Sequence, residues 1–230
     1  MSRTARNCPG GMIFHVLNRS VARIKLFRGD KDYLSLLTTL AEAQARVPVE
    51  LLAYCAMPNH WHLVLRPRED GQLSEFMQWF TMTHVQRWRT SHQTVGFGPL
   101  YQGRFKSFVI EEDRHLLTVF RYVERNALRA KLVRRAEDWR WSSLHIPQPN
   151  HDGIKLPTLA VWPIPRPSDW LDRVNTPQTA AEEKAVQESI SRSRPFGSPD
   201  WQIQAARKLN LSSCFRPVGR PWPKQRARQK

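Results

Sequence analysis

Two histidines, His60 and His62, lie two residues apart in the apolar run AYCAMPNHWHLVLRP, which has the character of a β-strand entered through a Pro-Asn turn. Side chains on a strand alternate between its faces, so both imidazoles project from the same face, roughly 6–7 Å apart at the Cα atoms. Two imidazoles so placed can bind one divalent cation. A lone histidine on a strand is more often an ordinary core or surface residue, so a metal site requires further ligands.

A second pair of polar residues, Tyr122 and Asn126, lies on a predicted helix. Residues four apart share one helical face, with about 6 Å between their Cβ atoms. Taken singly, the tyrosine fits the rim of a core and the asparagine fits a solvated surface. Together with His60 and His62 they form a specific set: two imidazoles, an amide oxygen as a third metal ligand, and a phenol one helical turn away.

The elements that must position these side chains follow the order β-α-β-β-α-β-α. The apolar spacing predicts strands over residues 12–20, 49–57, 60–66 and 104–110, and helices that start at Asp30, cover residues 73–89, and run from Asp113 to about residue 133. Pro58 and Asn59 form the turn between the second and third strands. This order predicts an α+β fold, an antiparallel sheet sandwiched by helices of the ferredoxin-like or RRM-like kind.

Composition points to a polyanionic partner. The 230 residues contain 36 Lys and Arg against 20 Asp and Glu, a net charge of +16, together with nine Trp. Such an excess favours nucleic acid over a membrane surface. There is no apolar run long enough for a membrane span and no signal-peptide pattern at the N-terminus, so we expect a cytoplasmic protein. The three cysteines are widely spaced, which indicates neither a disulfide framework nor a zinc knuckle.

The chain divides by composition into three parts. Residues 1–147 carry the candidate chemistry, residues 148–175 form a Pro-rich linker, and residues 176–230 form a basic, mostly helical extension that we expect to bind DNA. Thr179 and Glu182 form a capping-box pattern that opens a helix to about residue 191, and Ser198 with Pro199 opens another to about residue 209. The last segment, which includes Arg220, is either a minor-groove DNA hook or a disordered basic tail.

Three segments, MPNHWHLVLRP, YQGRFKSFVIEEDRHLLTVFRYVERNALRAKLV and EDWRWSS, resemble the HUH single-strand endonucleases with one tyrosine, and specifically the REP-associated tyrosine transposases. The resemblance covers residues 12–144. His60 and His62 fall on the His-hydrophobic-His pair of that family, Tyr122 on its nucleophile, and Asn126 on its helical metal ligand. The family commonly has Asn-Pro after the tyrosine, whereas Ala127 follows Asn126 here, so we expect an uninterrupted helix.

The resemblance implies a metal-dependent single-stranded DNA endonuclease and strand transferase. It would cleave hairpin-forming repetitive extragenic palindromic DNA through a 5′-phosphotyrosine intermediate, with Mg²⁺ or Mn²⁺ as cofactor, in the bacterial cytoplasm near the nucleoid. A monomer is implied, with a dimer as the alternative. The candidate DNA-binding residues are Arg19, Arg104, Lys106, Arg129 and Arg220.

Two other functions are compatible with parts of the sequence. A transposase that has lost catalysis and only binds hairpin DNA or RNA would keep the same basic and aromatic residues. A His-x-His metalloenzyme of barrel type would need more ligands and more short strands than the sequence contains. The joint presence of His60, His62, Tyr122 and Asn126 favours the enzyme. Trp79, Trp88 and Tyr101 could stack on unpaired bases, although core packing is the commoner use of such residues.

Overall fold

A computed structural model describes residues 7–145 and 155–216; Arg220 and the basic tail around it lie outside the described residues. Four strands form one sheet in the order β2-β3-β1-β4, with every neighbouring pair antiparallel. The strands are β1 (Ile13–Arg19), β2 (Glu50–Met57), β3 (His60–Arg66) and β4 (Lys106–Ile110). The predicted α+β fold, an antiparallel sheet sandwiched by helices, is confirmed.

Helices cover both faces of the sheet because each strand carries apolar residues on both faces. One core joins α1 and α2 to residues such as Val16 and Leu63, and the other joins α3, Trp170 and Val186 to residues such as Ile13 and Val64. The helices are α1 (Asp30–Arg46), α2 (Gln72–Ser91), α3 (Arg114–Glu124), α4 (Asn126–Arg129), α5 (Trp170–Asn175), α6 (Ala180–Arg192) and α7 (Pro199–Lys208). No helix among the described residues combines the length and the apolar character needed to cross a membrane.

The turn between β2 and β3 is fixed by backbone hydrogen bonds. Pro58 O accepts from the amides of Leu26 and Phe27 at 2.7 and 3.2 Å, and Asn59 O accepts from Ser20 N at 3.0 Å. These bonds tie the hairpin to the segment that follows β1. The turn that precedes His60, at the start of β3, is therefore hydrogen-bonded to residues 20, 26 and 27.

The expected uninterrupted third helix is wrong. The helix is broken at Arg125, so that Tyr122 lies on α3 and Asn126 begins the short helix α4. Arg125 keeps right-handed helical dihedral angles, with φ of −80° and ψ of −6°, and its guanidinium donates to the carbonyls of Val174 and Asn175 at 2.8 and 2.7 Å. Lys131, with φ of 58°, then ends α4 in a left-handed cap, which the local preference of Ala127 for helix does not prevent.

Helices α5 and α6 of the C-terminal extension pack into the core that α3 covers, whereas Ala205 of α7 belongs to the core of α1 and α2. The capping box of Thr179 and Glu182 is formed and opens α6, and Ser198 is the N-cap of α7, as predicted. The preceding segment runs along the edge strand β2, with Ala160 N donating to Leu51 O at 2.8 Å. Trp162 stacks on Phe120 of α3 with 4.1 Å between ring centroids. The helix that carries Tyr122 is thus enclosed between the sheet and the extension.

Candidate active site

His60 and His62 lie on the sheet face that α3 covers. In the register of β1 and β3, Arg19 faces His60 and Leu17 faces His62. The ring centroids of the two histidines are 5.0 Å apart. His62 is buried and His60 is half-buried, so the pair lies at the boundary between the core and an open cavity.

One nitrogen of each ring is already hydrogen-bonded. His60 Nδ1 lies 2.6 Å from Asn59 Oδ1, and because an amide oxygen only accepts, Nδ1 carries the proton and Nε2 keeps its lone pair. His62 Nδ1 lies 2.8 Å from Nε2 of His15, a fully buried residue of β1. The Nε2 atoms of His60 and His62 make no hydrogen bond with any described residue, which leaves both for a ligand.

Burial keeps these imidazoles neutral. Desolvation, with the nearby positive charges of Arg19 and Arg129, lowers the pKa of His60 to about 3. Desolvation also lowers the pKa of His62 well below 6.5, with His60 and His15 adding to the effect. A neutral imidazole has the free lone pair that metal coordination requires, so neither ring must lose a proton before it binds a cation at neutral pH.

Tyr122 and Asn126 are linked by Arg129. The Arg129 guanidinium donates to Tyr122 OH at 3.3 Å and to Asn126 Oδ1 at 3.0 Å, and its central carbon lies 4.5 Å from the centroid of the Tyr122 ring. The Tyr122 ring is 5.9 Å from that of His62, centroid to centroid. Positive charge is thereby held next to the phenol oxygen. Asn126 is buried, and its Nδ2 atom has no hydrogen-bond partner among the described residues.

These side chains border a cavity of about 530 Å³. His60, His62 and Tyr122 reach it, but Asn126 does not. Its wall includes the predicted DNA contacts Arg19, Arg104, Lys106 and Arg129 and, among the residues that the structure describes, no carboxylate. A concave wall with this excess of cations favours a phosphate-bearing ligand.

The two histidines fit a divalent cation at the cavity, which Asn126 does not line. Two neutral imidazoles offer free Nε2 atoms, and Asn126 Oδ1 already faces a positive group, the guanidinium of Arg129. Mixed imidazole and amide ligands suit Mn²⁺ and also accept Mg²⁺.

A different group of side chains that could bind a metal, Glu111, Asp113 and His115, has its ligand atoms within 4.8 Å of one another. That second group lies beyond the far end of β4, because Ile110 pairs with Ile13 whereas Lys106 pairs with Leu17 next to the cavity. Its oxygens already have donors. Glu111 accepts from the amide of Ser198, the N-cap residue of α7, at 2.6 Å, and Asp113 accepts from His115 N at 2.7 Å and caps α3. The group therefore has a structural use in joining two helix starts.

The sequence analysis did not identify two residues near the cavity. His15 could have been found, because the alternation of β1 places it on the same face as Ile13 and Leu17, where a polar side chain is unusual. Gln187 reaches the cavity from α6, which no local pattern indicates. The proposed stacking residues Trp88 and Tyr101 are buried in the core, and Trp79 packs against that core.

Residues 10–126 match the family model for IS200-like transposases. The match covers just over half of the chain, so the chain belongs to the IS200-like transposase family. The matched region includes His60, His62, Tyr122 and Asn126 and ends before the extension.

Two solved structures are similar to this chain. One is a REP-associated tyrosine transposase bound to a REP hairpin; it is 18% identical, with a TM-score of 0.51 over 70% of this chain and 100% of that one, which shows the common fold. The other, a Deinococcus radiodurans protein assigned as a transposase, is 16% identical, with a TM-score of 0.39 over 57% of this chain and 92% of that one. No curated protein matches the chain.

Proposed function

We propose that this transposase is a single-stranded DNA endonuclease and strand transferase in which Tyr122 is the nucleophile, and that its substrate is hairpin-forming repetitive extragenic palindromic DNA. The observation that carries the proposal is the position of the Tyr122 phenol, which shares one basic cavity with His60 and His62 and is bonded to Arg129. The solved REP-associated relative, bound to a REP hairpin, supports the choice of substrate.

In the proposed reaction, Tyr122 Oη forms a bond to phosphorus while the bond from phosphorus to the 3′-oxygen breaks. A 5′-phosphotyrosine and a free 3′-hydroxyl result, and the proton lost by the phenol balances the proton gained by the 3′-oxygen. A phenolate is a far better nucleophile than a phenol. The guanidinium of Arg129 lies where it can stabilise negative charge on the oxygen as it attacks.

We propose that His60, His62 and Asn126 hold the divalent cation, Mg²⁺ or Mn²⁺. When bound, such an ion polarises a non-bridging phosphate oxygen and offsets the charge of the transition state. Arg19, Arg104 and Lys106 would hold the neighbouring phosphates of the strand, since all three line the same cavity. Arg220 would add contacts from the basic tail.

The covalent intermediate accounts for strand transfer. The phosphotyrosine retains the energy of the broken phosphodiester, so a second 3′-hydroxyl can attack it and join strands without ATP. We propose that residues 1–147 carry this chemistry and that residues 176–230 add DNA contacts, joined by the Pro-rich segment 148–175. We further propose that the protein works as a monomer in the bacterial cytoplasm, close to the nucleoid.

The test is to incubate the full chain with Mn²⁺ or Mg²⁺ and end-labelled single-stranded repeat hairpins, and to look for a covalent adduct on a denaturing gel. The native protein should give an adduct, and Tyr122→Phe should give none while it still binds the hairpin. Tyr54→Phe serves as the matched control, because Tyr54 is a buried tyrosine outside the cavity, and this variant should still form the adduct. Tight hairpin binding without any adduct from the native protein would instead support the non-catalytic binder.

A further inference from the structure

We propose that His15 is a positioning residue that fixes the tautomer of His62. In this arrangement Nε2 of His15 accepts a hydrogen bond from Nδ1–H of His62, which leaves the lone pair of His62 Nε2 for the cation. The inference rests on the proposed metal site, and it assigns a role to a residue outside the proposed ligand set of His60, His62 and Asn126.

The two rings are arranged for a single shared proton. His15 and His62 lie on adjacent strands as diagonal neighbours, because His15 pairs with Val64 and His62 pairs with Leu17. His15 Nε2 and His62 Nδ1 are 2.8 Å apart, and the two side chains are 0% and 2% exposed. Because both rings are buried, water does not compete for this bond. The shared proton therefore lies either on His62 Nδ1 or on His15 Nε2.

Only one of the two possible arrangements allows His62 to bind a metal. A neutral imidazole carries one proton. If His62 Nδ1 carries it, His62 Nε2 has a free lone pair. If His15 Nε2 donates instead, the proton of His62 sits on Nε2, and that nitrogen cannot coordinate a cation. In the arrangement that allows metal binding, His15 Nε2 is the acceptor and the proton of His15 lies on Nδ1.

The surroundings of His15 indicate a polar role for a residue in an apolar layer. Its ring packs against Phe108 with 4.8 Å between centroids, which fixes the plane of the imidazole. Its other nitrogen, Nδ1, is buried with no hydrogen-bond partner among the described residues. An apolar side chain would avoid that desolvation cost, so packing alone does not account for a histidine at this position.

The neighbouring ligand is oriented in the same way. Asn59 Oδ1 fixes the proton of His60 on Nδ1, as described above. Metal-binding histidines generally donate the other ring N–H to a polar group, and loss of that group typically weakens metal binding by about 10–100-fold. His60 and His62 thus each have an acceptor for Nδ1–H, a half-buried amide for one and a buried imidazole for the other.

The first test measures Mn²⁺ binding to the full chain without DNA, by calorimetry and by the electron paramagnetic resonance of free Mn²⁺. We expect His15→Leu to raise the dissociation constant by about 10-fold or more. His15→Gln, whose amide oxygen restores an acceptor, should recover most of the loss. His84→Leu removes an equally buried histidine from the opposite core and should leave the dissociation constant within about twofold. Unchanged Mn²⁺ binding in a folded His15→Leu protein would overturn the proposal.

The second test reads the tautomer directly. Long-range ¹H–¹⁵N spectra of the metal-free native protein should show His62 protonated at Nδ1, and protonation at Nε2 would overturn the proposal even if His15→Leu failed to fold. This measurement is independent of cleavage. A native protein that shows the Nδ1–H tautomer and binds Mn²⁺ but forms no DNA adduct would contradict the proposed function while supporting the role of His15.

Discussion

Asn126 Oδ1 accepts a hydrogen bond of 3.0 Å from the guanidinium of Arg129. The amide oxygen that we propose as a metal ligand is therefore already turned toward a positive charge. Coordination of a metal ion would replace one cationic partner by another. Arg129 would thus compete with a bound metal ion for Asn126, and it also donates a hydrogen bond to the oxygen of Tyr122.

Arg129→Gln separates these two roles. We expect Mn²⁺ to bind several-fold more tightly, because a competing positive charge is lost, and the phosphotyrosine adduct to form about 10-fold or more slowly, because the attacking oxygen loses its cationic donor. Calorimetry measures the first effect and single-turnover gels the second. Arg173→Gln, a change of an exposed arginine paired with Asp169, is the control and should alter neither quantity. Weaker Mn²⁺ binding in Arg129→Gln would contradict the competition.

Arg104 and Lys106 are expected to contact phosphates of the single strand. If about six phosphates are neutralised in all, the logarithm of the binding constant falls with the logarithm of salt concentration at a slope of roughly −4. Arg104→Gln and Lys106→Gln should each make that slope about 0.7 less steep. Fluorescence anisotropy at several salt concentrations measures this slope. An unchanged slope in both variants would show that Arg104 and Lys106 do not contact DNA phosphates.

A buried chain of hydrogen bonds lies in the core of α1 and α2, on the sheet face opposite to His60 and His62. Trp61 Nε1 donates to Tyr101 OH at 2.8 Å, which leaves the Tyr101 proton for His84 Nδ1 at 2.7 Å. Tyr101→Phe leaves two buried polar groups unpaired and should lower the free energy of unfolding by about 1–3 kcal/mol. Urea denaturation measures this loss. In Tyr54→Phe the loss should be smaller, since the Tyr54 hydroxyl has no hydrogen-bond partner within residues 7–145 and 155–216.

Stability should fall in mild acid because His84 is buried and neutral. Desolvation lowers its pKa from 6.5 to about 3, so the unfolded chain takes up a proton below about pH 6.5 that the folded chain does not. The contribution of the neutral His84 imidazole to the free energy of unfolding is complete above pH 6.5 and is lost as the pH falls toward 3. His84→Gln should make the free energy of unfolding less dependent on pH between about 6.5 and 4.5, measured by urea denaturation with a chelator present. An equal slope in both proteins would contradict the assignment.

The Glu124 carboxyl group should act in the opposite direction. Burial raises its pKa above 4.5, although hydrogen bonds from Trp170 and Ser143 partly offset the shift. The folded chain therefore holds this proton more strongly than the unfolded chain, and stability is lost as the pH rises through the folded pKa. Relative to the native protein, Glu124→Gln should become more stable as the pH rises from about 4.5 to 7.5. A constant difference between the two proteins across that range would show that Glu124 does not titrate on folding.

Local patterns in the sequence were sufficient for most of the fold. The period-two alternation of β3, the Pro58-Asn59 turn and the Thr179 capping box each act within a few residues, so they could be predicted. The interruption at Arg125 could not, because Ala127 favours helix and the backbone of Arg125 itself stays in the right-handed helical region.

For the candidate site, the sequence could place His60 and His62 on one face and Tyr122 one turn before Asn126, although these two residues lie on α3 and α4 rather than on one helix. It could not predict that Arg129 bridges the latter pair, since that depends on one rotamer of a long side chain. It also gave no means of pairing His15 with His62, which requires the register of β1 against β3. The sequence therefore predicted which side chains share a face of one strand, as His60 and His62 do, but not the contact between His15 and His62 on different strands.

Glu124, two residues beyond Tyr122, is held by Ser143 Oγ at 2.9 Å and by Trp170 Nε1 at 2.7 Å. Both donors lie outside the region that matches the family model, which ends at residue 126. The region that matches the family model therefore depends on residues beyond its end. A chimaera that joins residues 10–126 to the extension of another transposase would need a hydroxyl and an indole in equivalent places, or the buried carboxyl group of Glu124 would be left without donors beside Tyr122.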